Sequence, residues 1–85
     1  MIDQEKILRI VEAALLTTES PMEVKDLVDL FKDDELEKDI ATKTIRDVLN
    51  VIENECEQRS MELKRVASGY RFQVRQEYSE WIGRM

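Results

Sequence analysis

The chain has 85 residues, of which 42% are hydrophobic and 38% are charged, with only 2 glycines and 1 proline. This composition predicts one compact, mainly helical domain and excludes intrinsic disorder. The single cysteine excludes an internal disulfide, and no apolar run approaches the ~20 residues of a membrane span, so we expect no membrane association.

Charge is distributed unevenly around the net value of −6. Residues 1–59 carry 16 acidic and 8 basic side chains, whereas residues 60–85 carry 3 acidic and 5 basic ones. The body of the protein is therefore acidic and its C-terminal part is basic. The N-terminal sequence MIDQEKIL lacks the basic and apolar regions of a signal peptide, so we expect a cytoplasmic protein.

The first predicted helix runs from about Asp3 to Thr18. Asp3 is a favourable N-cap, and the apolar residues recur at helical spacing along one face. Leu8 and Leu16 lie beside this face and widen it. The face itself consists of Ile7, Ile10, Val11, Ala14 and Leu15.

Ser20-Pro21 ends the first helix, because the residue before a proline is pushed towards an extended conformation. Met22 is then expected to add a short strand to the sheet formed further along the chain. A second helix is predicted from about Val24 to Phe31. The acidic connector, residues 32–39 with the sequence KDDELEKD, follows it.

The third predicted helix runs from about Thr42, a candidate N-cap, to Arg59. Its apolar face is made by Ile45, Val48, Leu49, Ile52 and Cys56. This face would complete a core of three helices.

Residues 61–75, MELKRVASGYRFQVR, predict two strands around a turn at Ser68-Gly69. The alternation places Tyr70, Phe72 and Val74 on an apolar face, opposite a basic face. A last helix, from about Glu77 to the end, places Tyr78, Trp81, Ile82 and Met85 at helical spacing. The whole pattern predicts a winged helix-turn-helix, mainly α, with a three-helix core, a two-stranded wing and a C-terminal helix.

Catalysis is not expected. A reactive thiolate needs a nearby base or cation and some exposure, but the chain has no histidine and Cys56 lies on an apolar face. The acidic connector has five carboxylates but no glycine for the sharp turn of a calcium loop, so we expect a solvated loop. We therefore expect no catalytic residue, no metal and no cofactor.

DNA binding is the alternative function, because many winged helices read the major groove with the third helix. Here the third helix carries Lys43, Arg46 and Arg59 against four carboxylates, so it would repel phosphates. Only the wing offers possible phosphate contacts, at Lys64, Arg65, Arg71 and Arg75. We expect weak contact at most and no specific nucleic acid, while a DNA-binding transcriptional regulator that uses its basic wing stays the alternative.

A protein partner is the better expectation. A large aromatic residue on a final amphipathic helix either caps the core, which is the default interpretation of Trp81, or anchors a partner. The candidate partner-binding residues are Leu8, Leu16, Tyr78, Trp81, Ile82 and Met85.

Two segments resemble a known family. IVEAALLTTESPMEVKDLVDLF, residues 10–31, resembles the opening of the segregation and condensation protein B family, ScpB. VASGYRFQVRQEYSEWIGRM, residues 66–85, is similar to that family's wing and following helix, above all at Gly69, Tyr70, Arg71 and Phe72. The resemblance covers essentially the whole chain, and no single motif in it is chemical.

The resemblance implies a non-catalytic adaptor. Members of the family have two tandem winged-helix domains, form homodimers and bind the kleisin ScpA, which bridges the heads of the bacterial SMC ATPase during chromosome condensation and segregation. Residues 1–85 resemble the N-terminal domain, and the second domain would follow Met85. A cytoplasmic, nucleoid-associated location is implied through the complex.

One position departs from the family pattern. The family often has serine or threonine before the second helix, where this chain has Glu23, a poorer N-cap. We therefore expect the second helix either to begin with frayed geometry or to use Asp26 differently.

Overall fold

The computed structural model describes all residues, 1–85, and the order of its elements confirms the predicted winged helix-turn-helix. Short 3₁₀ turns precede the third and fourth helices, at Lys38–Ile40 and Gln76–Tyr78. The helices are α1 Gln4–Thr17, α2 Val24–Val28, α3 Ala41–Glu55 and α4 Ser79–Ile82, and the strands are β1 Met61–Val66 and β2 Gly69–Val74. None of the four helices combines the length and the hydrophobicity that a membrane-spanning helix requires.

The core consists of fourteen buried residues, none of them polar or charged. The largest fully buried side chains come from all three helices: Val11, Leu27, Ile45, Val48 and Ile52. The predicted faces of α1 and α3 therefore make the core. The prediction of Leu8 as a partner-binding residue is wrong, because this residue is only 4% exposed and packs in the core.

Capping residues define the start of α1 and α2. The Lys6 backbone N–H donates to Asp3 Oδ1 at 2.8 Å, which confirms the predicted cap of α1. At α2, the Glu23 backbone N–H donates to Asp26 Oδ2 at 2.9 Å. Asp26 thus satisfies the backbone where Glu23 departs from the family pattern.

The second helix is shorter than predicted and ends at Val28. The chain then tightens, because the Phe31 backbone N–H donates to the carbonyl oxygen of Val28 at 3.1 Å, three residues back. Phe31, at the predicted end of this helix, is nevertheless buried. Leu36, inside the acidic connector, is also buried at 2% exposure, so this loop is anchored rather than fully solvated.

The third helix begins at Ala41, one residue before the predicted start, and ends at Glu55, four residues before the predicted end. The 3₁₀ turn leads directly into Ala41, so Ile40 occupies the N-cap position and the prediction of Thr42 as N-cap is wrong. The helix ends at Glu55, with Cys56 at its C-cap, rather than at Arg59.

The wing is an antiparallel pair in which Leu63 faces Phe72 and Arg65 faces Tyr70. The two residues between the strands are Ala67 and Ser68, so the turn lies one residue earlier than predicted. Gly69 supplies the predicted positive φ, at 131°. A paired strand residue, rather than a turn residue, therefore carries the backbone conformation that requires glycine.

Met22 pairs with the wing as predicted, but through an isolated antiparallel β-bridge to Tyr70 rather than a full strand. Its backbone N–H donates to the Tyr70 carbonyl oxygen at 2.9 Å, and the Tyr70 N–H donates to the Met22 carbonyl oxygen at 2.8 Å. The approach is so close that a Cβ atom on Gly69 would lie 2.4 Å from the backbone carbonyl of Met22. The wing is thereby fastened to the connection between α1 and α2.

The C-terminal segment extends away from the core. The molecule measures 47 × 23 × 18 Å with a radius of gyration of 14.1 Å, against about 12 Å for a compact domain of this length. Every residue from Gln76 to Met85 is exposed. The default expectation that Trp81 caps the core is wrong, because this side chain is 58% exposed and the core closes without it.

We expect Gly69→Ala to lower the free energy of unfolding by about 2 kcal/mol or more, because alanine disfavours the positive φ and its Cβ would clash with the Met22 backbone. Chemical denaturation followed by circular dichroism measures this loss. Gly83→Ala is the matched control, since Gly83 has a helical φ of −64° and the nearest atom to an added Cβ lies at 3.3 Å. Equal losses in the two variants would contradict the assigned role of Gly69.

Candidate protein-binding surface

The C-terminal apolar stripe, defined as Tyr78, Trp81, Ile82 and Met85, is the main exposed apolar feature of the chain. Trp81 is 58% exposed, Ile82 51% and Met85 98%. The segment is helical, with the Gly83 N–H donating to the Ser79 carbonyl oxygen at 2.9 Å and the Met85 N–H to that of Ile82 at 3.1 Å. Large apolar side chains at helical spacing with no core beneath them are typical of a docking surface.

Arg84 makes an ion pair and a cation–π contact on the polar side of this segment. Arg84 pairs with Glu80 at 2.8 Å, one helical turn away, and its guanidinium lies 6.0 Å from the centre of the Trp81 ring. Such a contact restricts the ring while leaving it accessible. Trp81 is therefore exposed beside a cation, and a large exposed aromatic ring suits an anchoring role.

The remaining candidate positions fall in different places. Leu16, on α1, is 60% exposed and stays a candidate for partner contact. Leu8 is buried and unavailable to a partner. Val74, predicted on the apolar face of the wing, is 53% exposed at the end of β2, although Met61, its partner in β1, packs against the core.

The four wing cations predicted as phosphate contacts do not form one surface. Lys64 and Arg71 face each other across the strands and are both exposed. Arg65 points to the other face of the sheet, with its guanidinium 5.9 Å from the centre of the Tyr70 ring. Two adjacent cations are too few for strong phosphate binding, which weakens the alternative of a DNA-binding regulator.

Arg75 has a structural role, which the sequence did not indicate, and its contact with phosphate stays a prediction. Its Nη2 donates to the Cys56 carbonyl oxygen at 2.8 Å, and its Nε donates to that of Arg59 at 2.9 Å. These carbonyls follow the end of α3, where the helix dipole favours a cation. Arg75 therefore joins the end of β2 to the end of α3.

A second ionic cluster connects α1 to α3. Arg9 donates to both carboxylate oxygens of Glu55, at 3.3 and 3.1 Å, and to Glu12 at 3.2 Å. These hydrogen bonds to Glu55 and Glu12 raise the pKa of Arg9. The arrangement is a bidentate clamp between the two helices, and a third carboxylate, Glu5, also pairs with Arg9 at 3.3 Å.

Cys56 lines a cavity of about 380 Å³ next to this clamp, together with Arg59 and Met61. The side chain is 3% exposed, and burial raises the pKa of its thiol. The thiol is therefore protonated at neutral pH, and the neighbouring carboxylates Glu12 and Glu55 are bound to Arg9. These features are typical of a buried structural cysteine rather than of a nucleophile.

We expect Arg75→Lys to lower the free energy of unfolding by about 1–3 kcal/mol, because an ammonium group cannot reproduce the two directed hydrogen bonds to the end of α3. Thermal and chemical denaturation would measure the change. Arg71→Lys, on the exposed face of the same strand, should alter stability by no more than about 0.5 kcal/mol. An Arg75→Lys variant with unchanged free energy of unfolding would contradict the proposed capping of α3 by Arg75.

A sequence profile of the family described as segregation and condensation complex subunit ScpB matches residues 9–85. The chain is also 33% identical over 76 residues to a protein of Coxiella burnetii (strain RSA 493 / Nine Mile phase I) described as segregation and condensation protein B homolog. That match covers 89% of this chain and 35% of the relative, so the chain spans about a third of the length of the curated relative.

Solved structures share the fold. ScpB from Mycobacterium tuberculosis superposes with a TM-score of 0.80 at 17% identity, covering 99% of this chain and 49% of that protein. A dimer of the ScpB N-terminal domain complexed with a ScpA peptide superposes with a TM-score of 0.79 at 14% identity, covering 100% of this chain and 93% of that one. At these identities the likeness establishes the winged-helix fold alone.

Proposed function

The chain belongs to the family of segregation and condensation complex subunit ScpB, and from this premise we propose that it is a non-catalytic adaptor of a bacterial SMC–kleisin complex. The observation that carries the proposal is the C-terminal apolar stripe, with Trp81 58% exposed on a domain whose core is already closed. Such a surface gains free energy by docking rather than by chemistry.

The first proposed role of the stripe is self-association. In a two-fold symmetric dimer, the same patch of each subunit faces its copy. One exposed helix with an aromatic anchor therefore supplies both sides of the interface. Tyr78, Trp81, Ile82 and Met85 would contact the second copy, with Leu16 as a further candidate contact. A structurally similar ScpB N-terminal domain has been crystallised as a dimer, which supports this role.

The second proposed role is binding of a ScpA-like kleisin and, through it, an SMC ATPase. The similar N-terminal domain was complexed with a ScpA peptide, which supports the choice of partner. The acidic balance of residues 1–59 disfavours direct capture by DNA, so the chain would join the chromosome through its protein partners. A cytoplasmic, nucleoid-associated location follows from this role.

Sedimentation equilibrium on the chain, alone and then with the ScpA kleisin of the same organism, tests the proposal. We expect a concentration-dependent dimer that also binds ScpA. A strict monomer that ignores ScpA would contradict the proposed role for residues 1–85.

We expect Trp81→Ala to weaken self-association by about 2 kcal/mol or more, or about 30-fold in Kd, if the exposed ring anchors the dimer. Its thermal stability as a monomer should change little, because the side chain is not in the core. Leu30→Ala removes a side chain of 45% exposure outside the candidate set and is the matched control. Unchanged dimerisation of a folded Trp81→Ala variant would exclude Trp81 from the interface.

A further inference from the structure

A groove of about 330 Å³ lies between the start of α2, the exposed side of α3 and the tip of the wing. Each element contributes one cation to its lining: Lys25 from α2, Arg46 from α3 and Arg65 from β1. Glu23 is the only carboxylate in the lining. A locally cationic groove on a protein with a net charge of −6 is the least expected electrostatic feature of the surface.

None of the three groove cations makes an ion pair. Other cations of the fold do make ion pairs, as in the contact between Lys43 and Asp47, at 2.8 Å on the same helix as Arg46. Arg46 has no carboxylate three or four residues away along α3, where a helical partner would stand. Unpaired like charges brought together by three separate elements cost stability, and a cost of this kind is expected where a ligand supplies the opposite charge.

Apolar side chains lie between the cations. Val24, Val66 and Tyr70 line the groove, and the Tyr70 ring also receives the Arg65 guanidinium at 5.9 Å. The tip of the wing is held in place here by the paired hydrogen bonds of Met22 and Tyr70. The groove therefore combines an apolar lining, a cationic rim and a fixed backbone.

We propose that this groove binds an acidic peptide segment of a partner protein, in which carboxylates alternate with apolar side chains. The carboxylates would pair with Lys25, Arg46 and Arg65, and the apolar side chains would contact Val24, Val66 and Tyr70. Duplex DNA fits less well, because strong binding requires many phosphates to be neutralised, and three cations on an acidic protein neutralise few.

The groove and the C-terminal apolar stripe are separate surfaces. The groove lies at the Gly69–Tyr70 end of β2, whereas the stripe follows the other end of that strand, about 15 Å away along the chain direction. The proposal is therefore independent of the proposed dimerisation through Trp81. Variants in one surface leave the other intact.

Amide chemical-shift titration of the ¹⁵N-labelled chain tests the proposal. The probe is a short synthetic peptide in which glutamate alternates with leucine and phenylalanine, compared with the same peptide carrying glutamine and with a short DNA duplex. We expect saturable shifts around Lys25, Arg46 and Arg65 with the acidic peptide only. Absence of saturable shifts, shifts centred elsewhere, or tighter binding of the duplex to the same residues would overturn the proposal.

Charge reversal provides the matched comparison. Arg46→Glu/Arg65→Glu should weaken binding of the acidic peptide by about tenfold or more. Lys6→Glu/Lys32→Glu makes the same change in net charge at exposed positions outside the groove and should alter binding by no more than about twofold. Should charge reversal unfold the chain, Arg46→Gln/Arg65→Gln removes the same partners without repulsion. Equal losses in the groove and control variants would show a nonspecific charge effect and refute the site.

Discussion

The close approach of Gly69 to Met22 is the constraint on which the arrangement of this domain depends. Two backbone hydrogen bonds, of 2.8 and 2.9 Å, join Met22 to Tyr70, and only glycine leaves room for the Met22 backbone at the adjacent position. The contact connects the loop between α1 and α2 to the wing, two segments almost fifty residues apart in the chain. At the other end of β2, Arg75 is bonded to the carbonyls that follow α3. Both ends of β2 are therefore fixed to the helical core.

A strand fixed at both ends positions two different surfaces. At the Gly69 end, the tip of the wing places Arg65 and Tyr70 beside Lys25 and Arg46, which forms the cationic groove. At the Arg75 end, the chain leaves the core and exposes the C-terminal apolar stripe. One surface is electrostatic with an apolar lining and the other is mainly apolar, so they suit partners of different chemistry.

Local patterns predicted the elements well and their ends less well. The apolar faces of α1 and α3 were readable because helical spacing separates core from solvent in an amphipathic helix. Asp3 was readable as a cap because its side chain accepts from a backbone N–H three residues away, a contact within one turn. Leu36 was missed because a single apolar residue among carboxylates has no periodicity. Thr42 was wrongly chosen because the 3₁₀ turn before α3 supplies a start that does not need a capping side chain.

Local sequence patterns already contain the fold class, the acidic body, the helical spacing of the C-terminal stripe and the positive φ of Gly69. These properties depend on contacts or preferences within a few residues, so a linear pattern contains them. The exposure of Trp81 and the burial of Leu8 become apparent in the folded chain alone, because the same apolar spacing serves a core and an interface equally. The tertiary structure also decided that Arg75 caps α3, and that Lys25, Arg46 and Arg65 share one groove. Those assignments depend on which distant segments meet, and residue spacing along the chain does not contain that information.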